Sequence, residues 1–146
     1  MGYGFSYKCK KCGKEGEVYL DVGMRYPQIC ETAKKEALQG KYGNDAKQAV
    51  SDNPEGIFDM TSVIYKCSCG YWMEDVKGLY CIPKKSVDAA DCYHEWNGRN
   101  ANVIWRKAHP CPTCGKEMRR YRGDEMALKC PDCGGDIETG GYLMWD

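Results

Sequence analysis

Eight cysteines stand in four close pairs, Cys9 and Cys12, Cys67 and Cys69, Cys111 and Cys114, and Cys130 and Cys133. Each pair is followed at once by a glycine: Gly13, Gly70, Gly115 and Gly134. Two thiols so near in sequence reach one centre only from a tight turn, which needs a residue tolerant of positive φ just past the second ligand. Two such turns supply the four soft ligands that tetrahedral zinc takes, so four turns predict two metal sites. Pairing in chain order assigns Cys9, Cys12, Cys67 and Cys69 to one zinc ion, and Cys111, Cys114, Cys130 and Cys133 to the other. Sites closed by four thiolates hold a chain together, because metal binding and folding are one equilibrium in such units.

The rest of the composition agrees with a thin fold. At 146 residues, with two Phe beside eleven Tyr and four Trp, the apolar surface is amphipathic and aromatic rather than aliphatic. That suits small sheets packed around metal turns, and the expected class is a small, metal-stabilised, mainly antiparallel β (α+β) fold. The odd cysteine count and the pair spacings fit metal better than a disulfide framework, which implies a reducing compartment. The opening residues carry no apolar signal segment and no stretch is long enough to span a bilayer, so the expectation is a cytoplasmic protein with no membrane partner. Formal net charge is zero. Two tetrathiolate zinc sites would take it to about minus four, which weighs against a strong polyanion binder.

Along the chain, residues 3–8 and 15–20 read as strands entering and leaving the first turn. Pro27–Leu38 has a helix-start proline and apolar residues at helical spacing, and Asn44–Val50 reads as a second helix with Asn44 at its N-cap. Met60–Lys66 is a strand into the second turn, and Tyr71–Val76 with Leu79–Ile82 reads as a hairpin through Lys77-Gly78. Residues 84–102 carry Pro and Asn-Gly breaks nearby and read as a linker. The expected organisation is therefore an N-terminal unit over 1–83 with a helical insertion at about 27–51, and a C-terminal unit over 103–146. In the latter, strands Glu117–Tyr121 and Met126–Lys129 form a hairpin between two cysteine turns, and Ile137–Glu138 with Tyr142–Trp145 give a closing strand or edge.

Cys111-Pro-Thr-Cys114-Gly and Cys130-Pro-Asp-Cys133-Gly, separated by residues 115–129, resemble a zinc ribbon. Residues 1–82 resemble a second ribbon interrupted by helices, with Cys67-Ser-Cys69 departing from the usual two-residue gap. The opening, with its glycine-rich strand before Cys9-Lys-Lys-Cys12-Gly13, is similar to small bacterial zinc-ribbon proteins. The resemblance implies a zinc-stabilised fold and no activity.

Other chemistries have a footing in the residues. Rubredoxin uses similar cysteine pairs, so iron in a four-thiolate site is chemically open. His94-Glu95 followed by Pro110-Cys111-Pro-Thr-Cys114 echoes the nucleobase-deaminase pattern, but His and Glu are adjacent and four thiolates would close the site. Cys92 lies between Asp91 and His94-Glu95, and an enzyme or redox protein would use Cys92, His94 and Glu95; the acidic neighbours oppose the low thiol pKa that role needs. Cys30 and Cys81 read as inert buried thiols, on a helix face and within a strand. Lys8, Lys10, Lys11 and Lys14, and separately Arg119, Arg120 and Arg122 beside Tyr121, are the residues through which nucleic acid would bind. The function expected from all this is a non-enzymatic, zinc-binding interaction module with a protein partner, a nucleic-acid-binding protein being the alternative.

Overall fold

The computed structural model describes residues 2–85 and 96–145. These residues are mainly antiparallel β with two short α-helices, in the order β1 Gly2–Cys9, β2 Glu15–Leu20, α1 Tyr26–Leu38, α2 Asn44–Asp52, β3 Ile57–Asp59, β4 Ser62–Lys66, β5 Trp72–Val76, β6 Leu79–Pro83, β7 Ala101–Arg106, β8 Arg119–Arg120 and β9 Ile137–Trp145. They make three three-stranded sheets with strand orders β2-β1-β9, β3-β6-β7 and β5-β4-β8.

The sheets fall into two compact units that do not follow the expected division at 84–102. The first is assembled from three separated segments, Met1–Gly23, Ser62–Asp75 and Ala108–Asp146, and the second from Met24–Thr61 and Val76–Lys107. All eight paired cysteines belong to the first unit. The stretches between the first and second cysteine pairs and between the second and third are threaded out of it to make the second, so no single cut divides the chain.

In the first unit, β1 is the central strand of its sheet. Its register pairs Phe5 with Val18 of β2 and with Tyr142 of β9. Alternation sends Phe5 and Tyr7 inward with Val18 and Leu20, where they meet Ile64, Trp72 and Leu128 in one buried cluster. Trp72 lies 5.2 Å from the Tyr7 ring and donates its indole N–H to the carbonyl of Lys129 at 2.6 Å. That single residue ties the strand leaving the second cysteine turn to the segment entering the fourth.

In the second unit, α1 begins with Tyr26-Pro27 and buries Tyr26, Ala33 and Ala37. It ends in a Schellman motif: Gly40 at φ +89° donates to Ala37 and Lys41 donates to Glu36. The helix α2 buries Ala46 and Val50, and its N-cap is Gly43 rather than the expected Asn44, which is the first helical residue. Both helices share a core with Phe58 and Tyr80, whose rings are 4.8 Å apart.

Two expected hairpins do not form. The strands β5 and β6 belong to different sheets, because Lys77 turns inward to a buried partner and Gly78 at φ +63° redirects the chain. Between the third and fourth cysteine turns, the one strand is Arg119–Arg120; Met126–Lys129 is not a strand. Asp124 caps a 3-10 turn at Glu125–Ala127 by accepting from the Met126 N–H at 2.9 Å, and β8 pairs with β4 instead.

Candidate metal centres

The four cysteine turns are one device repeated. In Cys9-x-x-Cys12-Gly13 the Cys9 N–H donates to the carbonyl of Lys14 and the Gly13 N–H donates back to Cys9, at 2.7 and 3.1 Å. The same two bonds close Cys111 onto Lys116 and Gly115, and Cys130 onto Gly135 and Gly134. Cys67-Ser-Cys69-Gly70 keeps the design with one residue fewer: Cys67 donates to Tyr71 and Gly70 donates to Cys67. The glycines stand at φ +76°, +99°, +77° and +72°, a region closed to most side chains.

The structure groups these turns in nested order, not in chain order. Cys9 and Cys12 meet Cys130 and Cys133; Cys67 and Cys69 meet Cys111 and Cys114. The assignment of Cys9 and Cys12 with Cys67 and Cys69, and of Cys111 and Cys114 with Cys130 and Cys133, is overturned by strand pairing. The ladder of β1 with β9 runs to Cys9 opposite Ile137 and continues in the Lys10 N–H bond to Asp136, which docks the first turn on the fourth. The ladder of β4 with β8 sets Lys66 opposite Arg119, which docks the second turn on the third.

Within each group all four sulfurs lie within 4.8 Å of one another. The closest pairs are Cys9 to Cys133 at 3.4 Å, Cys12 to Cys130 at 3.7 Å, Cys67 to Cys114 at 3.3 Å and Cys69 to Cys111 at 3.7 Å. A tetrahedron with Zn–S bonds of about 2.3 Å has edges of about 3.8 Å, whereas a disulfide brings sulfurs to about 2 Å. The donor sets therefore fit a tetrahedral ion of the zinc type, and every described cysteine is a free thiol.

Electrostatics within the clusters lead to the same place. The Cys12 N–H donates to the Cys9 sulfur at 3.4 Å, with Lys11 assisting at 3.3 Å, and holds Cys9 down to about 6. The Cys69 N–H does the same for Cys67, also to about 6. The later ionisations are opposed. The Lys14 N–H pulls Cys12 down, yet the surrounding thiols Cys9, Cys133 and Cys130 outweigh it and push Cys12 up to about 12. Four crowded thiols cannot all ionise without a cation among them, and a divalent ion supplies that charge.

The first cysteine of each pair is buried and the second lies nearer solvent. Two residues before each first cysteine stands a buried bulky side chain: Tyr7, Tyr65, His109 and Leu128. At Tyr7 on β1 and Tyr65 on β4, strand alternation puts position −2 on the cysteine's own face, whereas His109 and Leu128 are buried without belonging to a strand. At the Cys67 site these side chains are Tyr65 and His109, stacked at 3.7 Å and 15°. The imidazole is flanked by Asp75 at 3.9 Å and Glu117 at 4.0 Å. Neither His109 nor the recurring −2 position enters a reading based on cysteines alone, although the repeat is written in the sequence.

The remaining cysteines lie elsewhere. Cys81 is fully buried on β6, opposite Ile57 of β3, and burial pushes its thiol up to about 11. Cys30 is partly buried on α1. Cys92, His94 and Glu95 lie outside the described residues. Because ionisation of Cys81 is suppressed by desolvation, its alkylation near neutral pH is expected to be slow in the native protein and to reach the rate of a free thiol only on unfolding. Peptide-resolved maleimide labelling, with and without denaturant, checks this; equal rates would contradict it.

Among the described residues no helix is long and apolar enough to cross a membrane. No family model, curated protein or solved structure matches the chain.

Proposed function

We propose that this chain is a non-enzymatic interaction module built on two structural four-cysteine zinc sites of zinc-ribbon type. The observation that carries the proposal is the geometry of the clusters. Each presents four thiol sulfurs at the spacing of a closed tetrahedron, with backbone N–H groups donating to them. A catalytic zinc site offers three protein ligands and an open position; four thiolates leave none. The two ions would hold together three segments distant in sequence, and so present the exposed strands of the first unit in a defined arrangement.

Native mass spectrometry of the protein, expressed with zinc and iron both present, tests this. Two zinc ions per chain are expected, with eight further thiols becoming alkylatable when a chelator removes them. A single ion, or iron in place of zinc, would overturn the assignment of two structural zinc sites.

A nucleic-acid partner is the second reading, favoured by the ladder of β4 with β8. Lys66 and Arg119 stand directly opposite each other, an arrangement that costs free energy unless negative charge lies near, and the Lys66 ammonium sits 5.4 Å over the Tyr121 ring. The neighbouring zinc tetrathiolate would offset that cost, and a phosphate could add to it beside a ring suited to stacking. By contrast, Lys8 and Lys14 near the other cluster are paired with Glu15 and Asp132 at 3.3 and 2.9 Å. Retention on single-stranded DNA that falls steeply with salt, and that Arg119→Ala weakens, would favour this reading. No retention at low salt would remove it.

A further inference from the structure

The edges of the β2-β1-β9 sheet are treated unequally. At β2, Asp21 and Ser62 exchange backbone bonds at 2.8 and 3.2 Å, Glu74 accepts from the Tyr19 N–H, and the Ser62 hydroxyl donates to the Tyr19 carbonyl at 2.9 Å. That edge is occupied. It also fixes the direction of every other group in the sheet. Tyr19 and Asp21 point away from β1, so Val18 and Leu20 point toward it, and their partners Phe5 and Tyr3 point toward β2. Gly4 and Gly2 then face β9, where they meet Leu143 and Trp145. The N–H and C=O groups of Tyr142 and Met144 are left aimed outward, away from β1.

Beyond its bulge, the strand β9 carries none of the usual protections of an exposed edge. It is nine residues long, has Glu138 as its one charged side chain, and has no lysine and no proline. The other sheet of this unit has edges that are charged or short: β5 carries Glu74 and Asp75, and β8 is two residues long. On β9, Tyr142, Leu143 and Met144 are 62, 43 and 68 % exposed, while Trp145 folds back to donate its indole N–H to the Tyr3 carbonyl at 3.0 Å. Upstream, the register shift places Gly140 and Gly141 against the single residue Ser6, a bulge that bends the edge and limits straight pairing to the stretch beyond it.

We propose that this free stretch of β9 is a self-association edge, and that its occupant is β9 of a second copy of the chain, paired antiparallel about a two-fold axis at Leu143. This names the partner of the interaction module proposed above. In that register the outward groups of Tyr142 exchange hydrogen bonds with those of Met144 in the other copy, and the reverse. Leu143 faces Leu143, and Gly141, which has no side chain to clash, lies opposite Trp145, whose indole stays folded over its own sheet. Tyrosine against methionine is a favourable sulfur–aromatic pair, and no charges are set against each other. Because the opposite edge of the sheet is capped by Glu74 and Ser62, this sheet has one edge to give among the described residues. Association therefore closes at a dimer instead of extending into a fibre.

Sedimentation equilibrium of the zinc-loaded protein from low to high micromolar concentration tests the proposal, together with hydrogen exchange at the Tyr142 and Met144 amides. A reversible dimer is expected, with both amides slowing as it forms. Leu143→Lys sets two ammonium groups opposite each other across the axis and is expected to weaken the dimer about tenfold or more, whereas Leu143→Ile retains it. Both variants keep two metal ions by native mass spectrometry, so failure of the dimer is separable from failure of the zinc sites. A monomer throughout the range, a dimer indifferent to Leu143→Lys, an open fibre, or protection of these amides only by a different protein's strand would each overturn it.

Discussion

Replacing Cys130 by serine is expected to release one metal ion and to free Cys9, Cys12 and Cys133 together, while Cys67, Cys69, Cys111 and Cys114 keep theirs. The nested grouping demands this outcome, and grouping in chain order would instead free Cys111, Cys114 and Cys133. The effect is large because a structural zinc site contributes about 10 to 16 kcal/mol of apparent binding free energy, comparable with or greater than the entire 5 to 15 kcal/mol stability of a typical domain. Cys130 is also 1 % exposed and belongs to the turn docked on the Cys9 end of the β1 and β9 ladder, so its loss loosens that end. Native mass spectrometry with differential alkylation reads the result directly. Release of the other ion, or retention of two, would contradict the geometry described here.

Breaking the buried ion pair of the second unit is expected to have the next largest effect. Asp59 is completely buried and Lys77 is 5 % exposed, with the ammonium 2.5 Å from the carboxylate. Asp59 also accepts from the Tyr26 hydroxyl at 3.1 Å, from the Thr61 N–H and hydroxyl at 3.0 and 2.6 Å, and from the Trp96 N–H at 3.4 Å. Lys77 donates to the Trp96 carbonyl as well, at 3.3 Å. Removing one partner leaves an uncompensated buried charge, which costs about 3 to 5 kcal/mol. Asp59→Ala belongs at the upper end of that range, because it also strips the acceptor from Tyr26, Thr61 and Trp96. Lys77→Met belongs at the lower end, since those donors go on stabilising the carboxylate. Denaturant unfolding of the two variants and the double variant supplies the cycle. A coupling energy near zero would mean the pair is not the anchor of this unit.

Much of the local structure was legible in the sequence. The four Cys-Gly turns, the two strands flanking Cys9 and Cys12, the helix behind Pro27 and the placement of Cys81 within a strand all follow from short-range patterns, and the structure has them. The shortened Cys67-Ser-Cys69 gap, which departs from the ribbon pattern, proves to be the same turn closed one residue earlier. Where expectation and structure part, a distant partner intervenes. Leu79–Pro83 leaves the expected hairpin because β3 and β7 take it and because Lys77 must reach Asp59. Met126–Lys129 is not a strand because Asp124 accepts from the Met126 N–H and winds Glu125–Ala127 into a 3-10 turn.

What the sequence determined by itself is which residues can hold metal, since a cysteine turn depends on a few backbone bonds and one glycine of positive φ, all within six residues. Which turns share an ion was decided only by the tertiary structure. The turns are equivalent as ligands, and every pairing satisfies a tetrahedral ion equally well. The choice belongs to the ladders of β1 with β9 and of β4 with β8, whose register is set by burying Phe5, Tyr7, Leu128 and Trp72 in one core and Tyr65 against His109 beside it. Ligand chemistry is local, whereas the burial that selects among equivalent ligands is collective over the whole folded chain.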